Sequence, residues 1–108
     1  MEQNLEHIKQ EFEALSPLLL AIGDETRQHI ICNMLECRKD KGMRVGEITE
    51  KTNLSRPAVS HHLKILKDVG VVKMRKEGTK NFYYLDAEQK SIMKIQTLLT
   101  DLSAYIHK

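Results

Sequence analysis

Arginine, serine, histidine and lysine side chains recur on one face of a predicted helix at residues 55–69. At about 100° per residue, the apolar side chains of this segment fall on one arc and the polar and basic ones on the opposite arc. The N-terminal end of the polar arc carries Arg56, Ser60 and His61. Donors of this kind can pair with base edges when a helix lies in a DNA major groove about 12 Å wide. The pattern therefore predicts a helix that reads double-stranded DNA.

The ends of this helix carry recognisable signals. The hydroxyl of Ser55 can cap the first free N–H groups, and Pro57 falls in the first turn, where its missing N–H costs little. Gly70 is the residue type expected just beyond a helix C-terminus. A shorter helix is predicted at residues 45–53, and a tight turn joins it to the helix at 55–69. Residues 45–69 are therefore predicted to form a helix-turn-helix.

A basic hairpin is predicted directly after it, at residues 71–85. Its two arms have strand composition, and the Glu-Gly-Thr sequence at 77–79 is a turn. Such a hairpin beside a reading helix is a wing, suited to contacting phosphates or the minor groove. The polar outer face of the helix, the wing and one flanking arginine make up the predicted DNA-binding set: Arg44, Ser55, Arg56, Pro57, Ser60, His61, Lys64, Lys67, Arg75, Lys76, Thr79 and Lys80.

Amphipathic helices are predicted at both ends of the chain, at residues 1–22 and 87–107. A break or kink is expected at Pro17 because proline in a first turn favours a new helix start, and Asp86 is predicted to cap the last helix. The apolar residues of the last helix are spaced three and four apart, as in helices that pack against a partner. We expect a two-fold homodimer built from Leu5, Ile8, Phe12, Ile92, Ile95, Leu99, Leu102 and Ile106. The alternative is that the domain's own core covers this stripe.

The middle of the chain links these parts. Asp24 is predicted to cap a helix that runs to about Cys37, and residues 38–42 are predicted to form a polar loop. Residues 43–45 are expected to add a short strand against the wing. The predicted fold class is thus mainly α (α+β): a winged helix-turn-helix with a two-stranded β-hairpin wing and flanking dimerisation helices, in a single domain at residues 1–108.

Charge is distributed unevenly along the chain, although its net value is only +2. Residues 51–80 carry eight Lys or Arg and two Asp or Glu, a net of +6, whereas residues 1–50 carry six and ten, a net of −4. The positive charge therefore coincides with the predicted reading head, as expected for a nucleic-acid partner. No apolar run approaches a membrane span, and two cysteines without a spaced framework favour a cytoplasmic location.

Four motifs in register resemble the ArsR/SmtB family of bacterial repressors. They are Gly-Asp-Glu-Thr-Arg at 23–27, Ser-His-His-Leu-Lys-Ile-Leu-Lys at 60–67, Gly-Val-Val at 70–72, and Glu-Gly at 77–78 followed by Tyr-Tyr-Leu at 83–85. The resemblance extends over about residues 5–106. It implies a homodimeric transcriptional repressor, and two reading heads about 34–36 Å apart would read the half-sites of a palindromic operator.

Metal sites of that family are not matched. One uses cysteines in the first helix of the reading pair, and residues 44–48 contain none. Another uses Asp, His and Glu along the last helix, which here offers Asp101 and His107, about 240° apart around the helix. The sequence therefore predicts no metal and no cofactor. His62 is interpreted as a core histidine that fixes the helix, and His7 and His29 are assigned no role.

The two cysteines leave two readings open. On one helix Cys32 and Cys37 would lie about 140° apart with about 7.5 Å of rise, beyond an unstrained disulfide. They are either an apolar filler and a helix-end residue or a sensor of thiols, arsenite or redox state. An unidentified small-molecule effector is also left open. A winged-helix module that binds protein rather than DNA is the rival function, and no enzyme motif is present.

Overall fold

The computed structural model describes residues 4–37 and 41–107, and it has the predicted winged helix-turn-helix fold. The elements of the described residues, in chain order, are α1 (Leu5–Ile22), α2 (Glu25–Leu35), α3 (Val45–Thr52), α4 (Arg56–Asp68), β1 (Val72–Glu77), β2 (Lys80–Leu85) and α5 (Lys90–Ile106). Most of the loop predicted at 38–42 lies outside the described residues, as do residues 1–3 of the N-terminal segment.

The core lies where α2, α3, α4 and the base of the wing meet. Ile30, Ile48, Leu63 and Leu66 are fully buried there, and Val72 at the start of β1 joins them. Each such side chain contributes about 1.5–3 kcal/mol relative to leaving it exposed. The predicted apolar arc of α4 is confirmed, since its buried residues follow the 3.6-residue period of a helix.

Side-chain caps begin α2 and α4 where the sequence predicts them. The Asp24 carboxylate accepts a hydrogen bond from the backbone N–H of Arg27 at 2.9 Å. The Ser55 hydroxyl accepts one from the backbone N–H of Ala58 at 3.2 Å. Between α3 and α4, Asn53 adopts a left-handed conformation with φ of 60°, which ends α3 and makes the tight turn.

The wing is an antiparallel hairpin in which Val72 pairs with Leu85 and Glu77 with Lys80. The segment before α3 attaches to it through a single bridge between Met43 and Tyr83. Two backbone hydrogen bonds of 2.7 Å make this bridge. The short strand predicted at 43–45 is therefore present as one bridged residue, which fixes the wing relative to α3.

Of the break or kink predicted at Pro17, the break is wrong, because α1 continues through it to Ile22. A proline inside a helix removes one hydrogen bond to the residue four positions earlier, here Glu13. Both Pro17 and Glu13 are exposed, so water can satisfy the freed carbonyl. Leu18 and Ala21 beyond the proline are buried and hold the second half of the helix against the domain.

The last helix begins at Lys90 rather than at residue 87, and Asp86 does not cap it. The Asp86 carboxylate instead accepts a hydrogen bond from the backbone N–H of Glu88 at 3.1 Å, which makes a turn. Gln89 follows with φ of 58°, and α5 starts after it.

Candidate nucleic-acid interface

The outer face of α4 is free to meet a DNA groove. Its predicted contact residues are all exposed: Ser55, Arg56, Pro57, Ser60, His61, Lys64 and Lys67. Lys64 forms an ion pair with Asp68 at 3.1 Å, and both side chains are exposed. An exposed pair of this kind is worth little, so a phosphate can compete for the lysine. The helix thus presents donors to solvent while its opposite face is buried.

Arg56 lies against α3 rather than extending freely into solvent. A Cβ built on Gly46 would lie 2.9 Å from a terminal nitrogen of the Arg56 guanidinium, so any larger residue at position 46 would displace the guanidinium from this place. A polar groove of about 430 Å³ borders the contact, and Arg44, Arg56 and Thr79 are among its lining residues. The structure therefore brings residues of α3, α4 and the wing to one cleft, which Glu47 and Glu50 also line.

The wing residues divide into exposed and engaged groups. Lys76, Thr79 and Lys80 are exposed near the turn. Arg75, also predicted to hold phosphate, is engaged within the domain. It forms an ion pair with Glu77 at 2.6 Å, lies 5.0 Å from the centre of the Phe82 ring, and donates to the Lys41 carbonyl at 3.0 Å. These contacts make Arg75 a brace between the wing and the segment before α3.

Arg27 connects the reading helix to the end of α1, and sequence reasoning assigned it no role. Its guanidinium donates to the carbonyls of Leu20 and Ala21 at 3.3 and 2.7 Å, and to Nδ1 of His62 at 3.1 Å. Burial, together with the nearby positive charge of Arg27, lowers the pKa of His62. His62 is therefore a neutral acceptor at Nδ1, and its predicted structural role agrees with this contact.

Apolar side chains on α1 and α5 remain uncovered within the chain. Five of the predicted dimerisation residues are exposed: Leu5, Phe12, Ile92, Leu99 and Ile106. Ile95 and Leu102 are partly buried. Ile8 is only 3% exposed, in agreement with the packing of α1 against α5 in the same chain, so it offers little area to a partner.

The two cysteines lie in different surroundings, Cys32 on α2 and Cys37 beyond its end. Cys32 is exposed and borders an apolar cavity of about 480 Å³ between α2 and α5, so it is not the core filler that one reading expected. Cys37 lies beyond the end of α2, and its thiol is 3.6 Å from the Gly42 carbonyl. Neither cysteine is in a disulfide.

A cluster of three ionisable residues was also missed by sequence reasoning. His7 and Glu11 on α1 meet Asp101 on α5, and one ligand atom from each lies within 4.8 Å of the others. The spacing of His7 and Glu11, one helical turn apart, was the available signal. Their meeting with Asp101 depends on the packing of the first helix against the last.

A winged helix-turn-helix with an exposed basic reading helix defines a DNA-binding protein. The profile described as "Bacterial regulatory protein, arsR family" matches residues 24–74. An uncharacterized HTH-type transcriptional regulator of Methanocaldococcus jannaschii is 40% identical over 87 residues, which make up 80% of this chain and 94% of that protein. The chain belongs to the ArsR family and is a DNA-binding transcriptional regulator.

Two further relatives are similar over most of the domain. The transcriptional activator HlyU of Vibrio cholerae is 33% identical over 90 residues, covering 83% of this chain and 80% of the relative. The solved structure of reduced HlyU superposes with a TM-score of 0.66 at 30% identity, covering 85% of this chain and 93% of the other. The transcriptional repressor SdpR of Bacillus subtilis is 39% identical over 66 residues, covering 61% of this chain and 69% of the relative.

Each helix within the described ranges is too short or too polar to cross a lipid bilayer.

Proposed function

We propose that the chain is a homodimeric repressor that binds a palindromic operator and blocks transcription by occupying it. The observation that carries the proposal is the arrangement of α4, with an apolar face buried in the core and an exposed face of cationic and hydrogen-bonding side chains. Arg56, Ser60 and His61 are the proposed base-edge contacts. Contacts of this type supply sequence discrimination of about 1–3 kcal/mol each when the geometry is good.

The proposed phosphate contacts surround these residues. Lys64 and Lys67 continue the exposed face of α4, and Lys76, Thr79 and Lys80 extend from the wing. Arg44, Ser55 and Pro57 lie at the edge of the same surface, and Arg75 is assigned to holding the wing in place because its guanidinium is already engaged. Phosphate contacts position the protein on the duplex, and base contacts choose the sequence.

The proposed dimer uses the exposed stripe of α5. Ile92, Leu99 and Ile106 are spaced by seven residues. Each is therefore rotated by only about 20° around the helix from the one before, and the three lie on one face. Leu5 and Phe12 on α1 add exposed apolar surface. A two-fold pairing of these faces would give the two reading heads one fixed separation, which a palindromic site with half-sites about 34–36 Å apart requires.

A salt titration of DNA affinity tests the proposed interface. Fluorescence anisotropy with an operator duplex should give log K falling linearly with log salt, with a slope of about −0.9 per phosphate contact. Lys76→Ala with Lys80→Ala should make the slope shallower and weaken binding to operator and unrelated DNA alike. Arg56→Ala should weaken binding to operator more than to unrelated DNA. If neither variant changes affinity, the assignment of these residues to the DNA interface is wrong.

The oligomeric state tests the dimer independently of DNA. Leu99→Glu should shift the protein from dimer to monomer in light scattering after size-exclusion chromatography, because it places a charge in an apolar interface. Lys94→Glu is the matched control, since it introduces the same residue on an exposed position of α5 away from the stripe. A monomeric parent protein, or a dimer that survives Leu99→Glu, would contradict the proposed interface.

A further inference from the structure

His7, Glu11 and Asp101 converge where α1 packs against α5. Nε2 of His7 is 3.5 Å from Oε1 of Glu11 and 3.5 Å from Oδ2 of Asp101. The side chains of Glu11 and Asp101 are 16% and 10% exposed, whereas that of His7 is 52% exposed. The two carboxylates therefore form the floor of the cluster, and the imidazole forms its open rim.

The two carboxylates are compensated mainly by one half-exposed imidazole. Oε1 of Glu11 is buried, and within the described residues 4–37 and 41–107 its contact with His7, at 3.5 Å, is an ion pair rather than a well-aligned hydrogen bond. Burial and the adjacent Asp101 raise the pKa of Glu11 above its ordinary value. Two carboxyl groups facing each other out of water are costly when both are charged, and a bound cation removes that cost. A buried carboxylate oxygen that faces only a half-exposed imidazole and a second carboxylate is a favourable position for a bound cation.

We propose that His7, Glu11 and Asp101 bind one divalent transition-metal ion, Zn²⁺ being the representative, and that the ion joins α1 to α5 within one chain. Zinc takes imidazole nitrogen and carboxylate oxygen at about 2.0–2.2 Å, and in a tetrahedral site this places neighbouring ligand atoms about 3.4 Å apart. The two 3.5 Å distances match that separation.

The donor set also indicates which ions fit. Ca²⁺ and Mg²⁺ prefer oxygen ligands throughout, whereas one imidazole with two carboxylates suits Zn²⁺ and its first-row neighbours. Three protein ligands leave a coordination position for water, and the exposed side of His7 provides access for it. The site draws two of its three ligands from α1, so inspection of α5 alone could not reveal it.

Metal titration of the full chain tests the proposal. Protein freed of metal with a chelator is titrated with Zn²⁺ by calorimetry, and Co²⁺ is used as a spectroscopic probe. We expect one ion per chain and visible Co²⁺ absorption typical of nitrogen and oxygen ligands, without a thiolate charge-transfer band. His7→Gln, Glu11→Gln and Asp101→Asn should each weaken binding at least tenfold. His29→Gln and Glu13→Gln, which alter the same residue types away from the cluster, should leave it unchanged.

Thermal unfolding separates a metal ligand from a merely structural residue. Without metal, Glu11→Gln should unfold at the same or a higher temperature than the parent, because the substitution removes the repulsion between the carboxylates. With Zn²⁺ the parent should gain stability and the variant should not. The proposal is overturned by absence of binding for Zn²⁺, Co²⁺ and Mn²⁺, by binding that survives all three ligand variants, or by a thiolate spectrum lost in Cys32→Ser. None of these readouts uses DNA, so the site and the proposed function can fail separately.

Discussion

Replacing Gly46 with alanine should weaken operator binding without weakening the fold. The new Cβ would lie 2.9 Å from a terminal nitrogen of Arg56 and 3.7 Å from its central guanidinium carbon. Non-bonded heavy atoms prefer about 3.5–4.0 Å, so the guanidinium must move by roughly 0.6 Å or more. The group that moves is the far end of a flexible side chain, and the backbone of α3 can stay in place.

The two consequences have opposite signs. Alanine is a better helix former than glycine by about 0.5–1 kcal/mol in a helix interior, and somewhat less at the second residue of α3. The free energy of unfolding should therefore stay level or rise slightly. Arg56 displaced from its cleft should lose about 1 kcal/mol of base contact per reading helix, hence about 2 kcal/mol for a dimer, or roughly thirtyfold in Kd.

A double-mutant cycle identifies the cause. Anisotropy titrations with operator DNA at one salt concentration compare the parent, Gly46→Ala, Arg56→Ala and the double variant, and urea unfolding is measured for each. If Gly46→Ala acts through Arg56, it should have no further effect once Arg56 is alanine. Unchanged affinity in Gly46→Ala, or an equal loss in both backgrounds, would refute the view that Gly46 positions Arg56 for DNA.

Three further substitutions test the packing of α4 and the continuity of α1. The lowered pKa of His62 means that the unfolded chain binds a proton more readily than the folded one, so the parent should lose stability as the pH falls below about 6.5. His62→Gln should lose less stability over the same range in urea unfolding. Parallel curves of unfolding free energy against pH for parent and variant would contradict this. Pro17→Ala should raise the free energy of unfolding by about 2 kcal/mol, the gain from a restored helical N–H less the loss of proline's stiffness in the unfolded chain, and no rise in Tm would refute it. Gly70→Ala should lower the free energy of unfolding by about 2–3 kcal/mol, since φ is 84° and the Cβ would lie 2.7 Å from the Ser91 hydroxyl. In a Ser91→Ala background the cost should fall to the backbone strain of about 1–2 kcal/mol.

Local signals predicted the reading helix α4 well because its ends and its faces are both determined by residues within the helix or directly beside it. Ser55 caps α4, Gly70 follows it, and the 3.6-residue period separates Leu63 and Leu66 from the exposed face. Each of these features acts within one or two helical turns. The family resemblance added the expected order of the elements, and the structure has that order.

The structure adds what the local pattern could not give where distant segments meet. Pro17 has the sequence of a helix start, yet the burial of Leu18 and Ala21 against the domain keeps α1 continuous. Ile8 has the spacing of an interface residue and is buried inside its own chain. Arg75 has the charge of a phosphate ligand, and Phe82 and the Lys41 carbonyl contact its guanidinium, so its contact with phosphate stays a prediction. None of these non-local contacts is visible in the local pattern.

The reading helix is joined to both terminal helices, and this arrangement bears on regulation. Near the middle of α4, Arg27 links His62 to the last carbonyls of α1. At the C-terminal end of α4, the Ser91 hydroxyl of α5 donates to the Val69 carbonyl at 2.7 Å. If α1 and α5 form the proposed dimer, each reading helix is fixed at two points to the elements that set the distance between heads. A shift of α5 relative to α1 would then change that distance, and hence operator affinity, without any change in the residues that touch DNA.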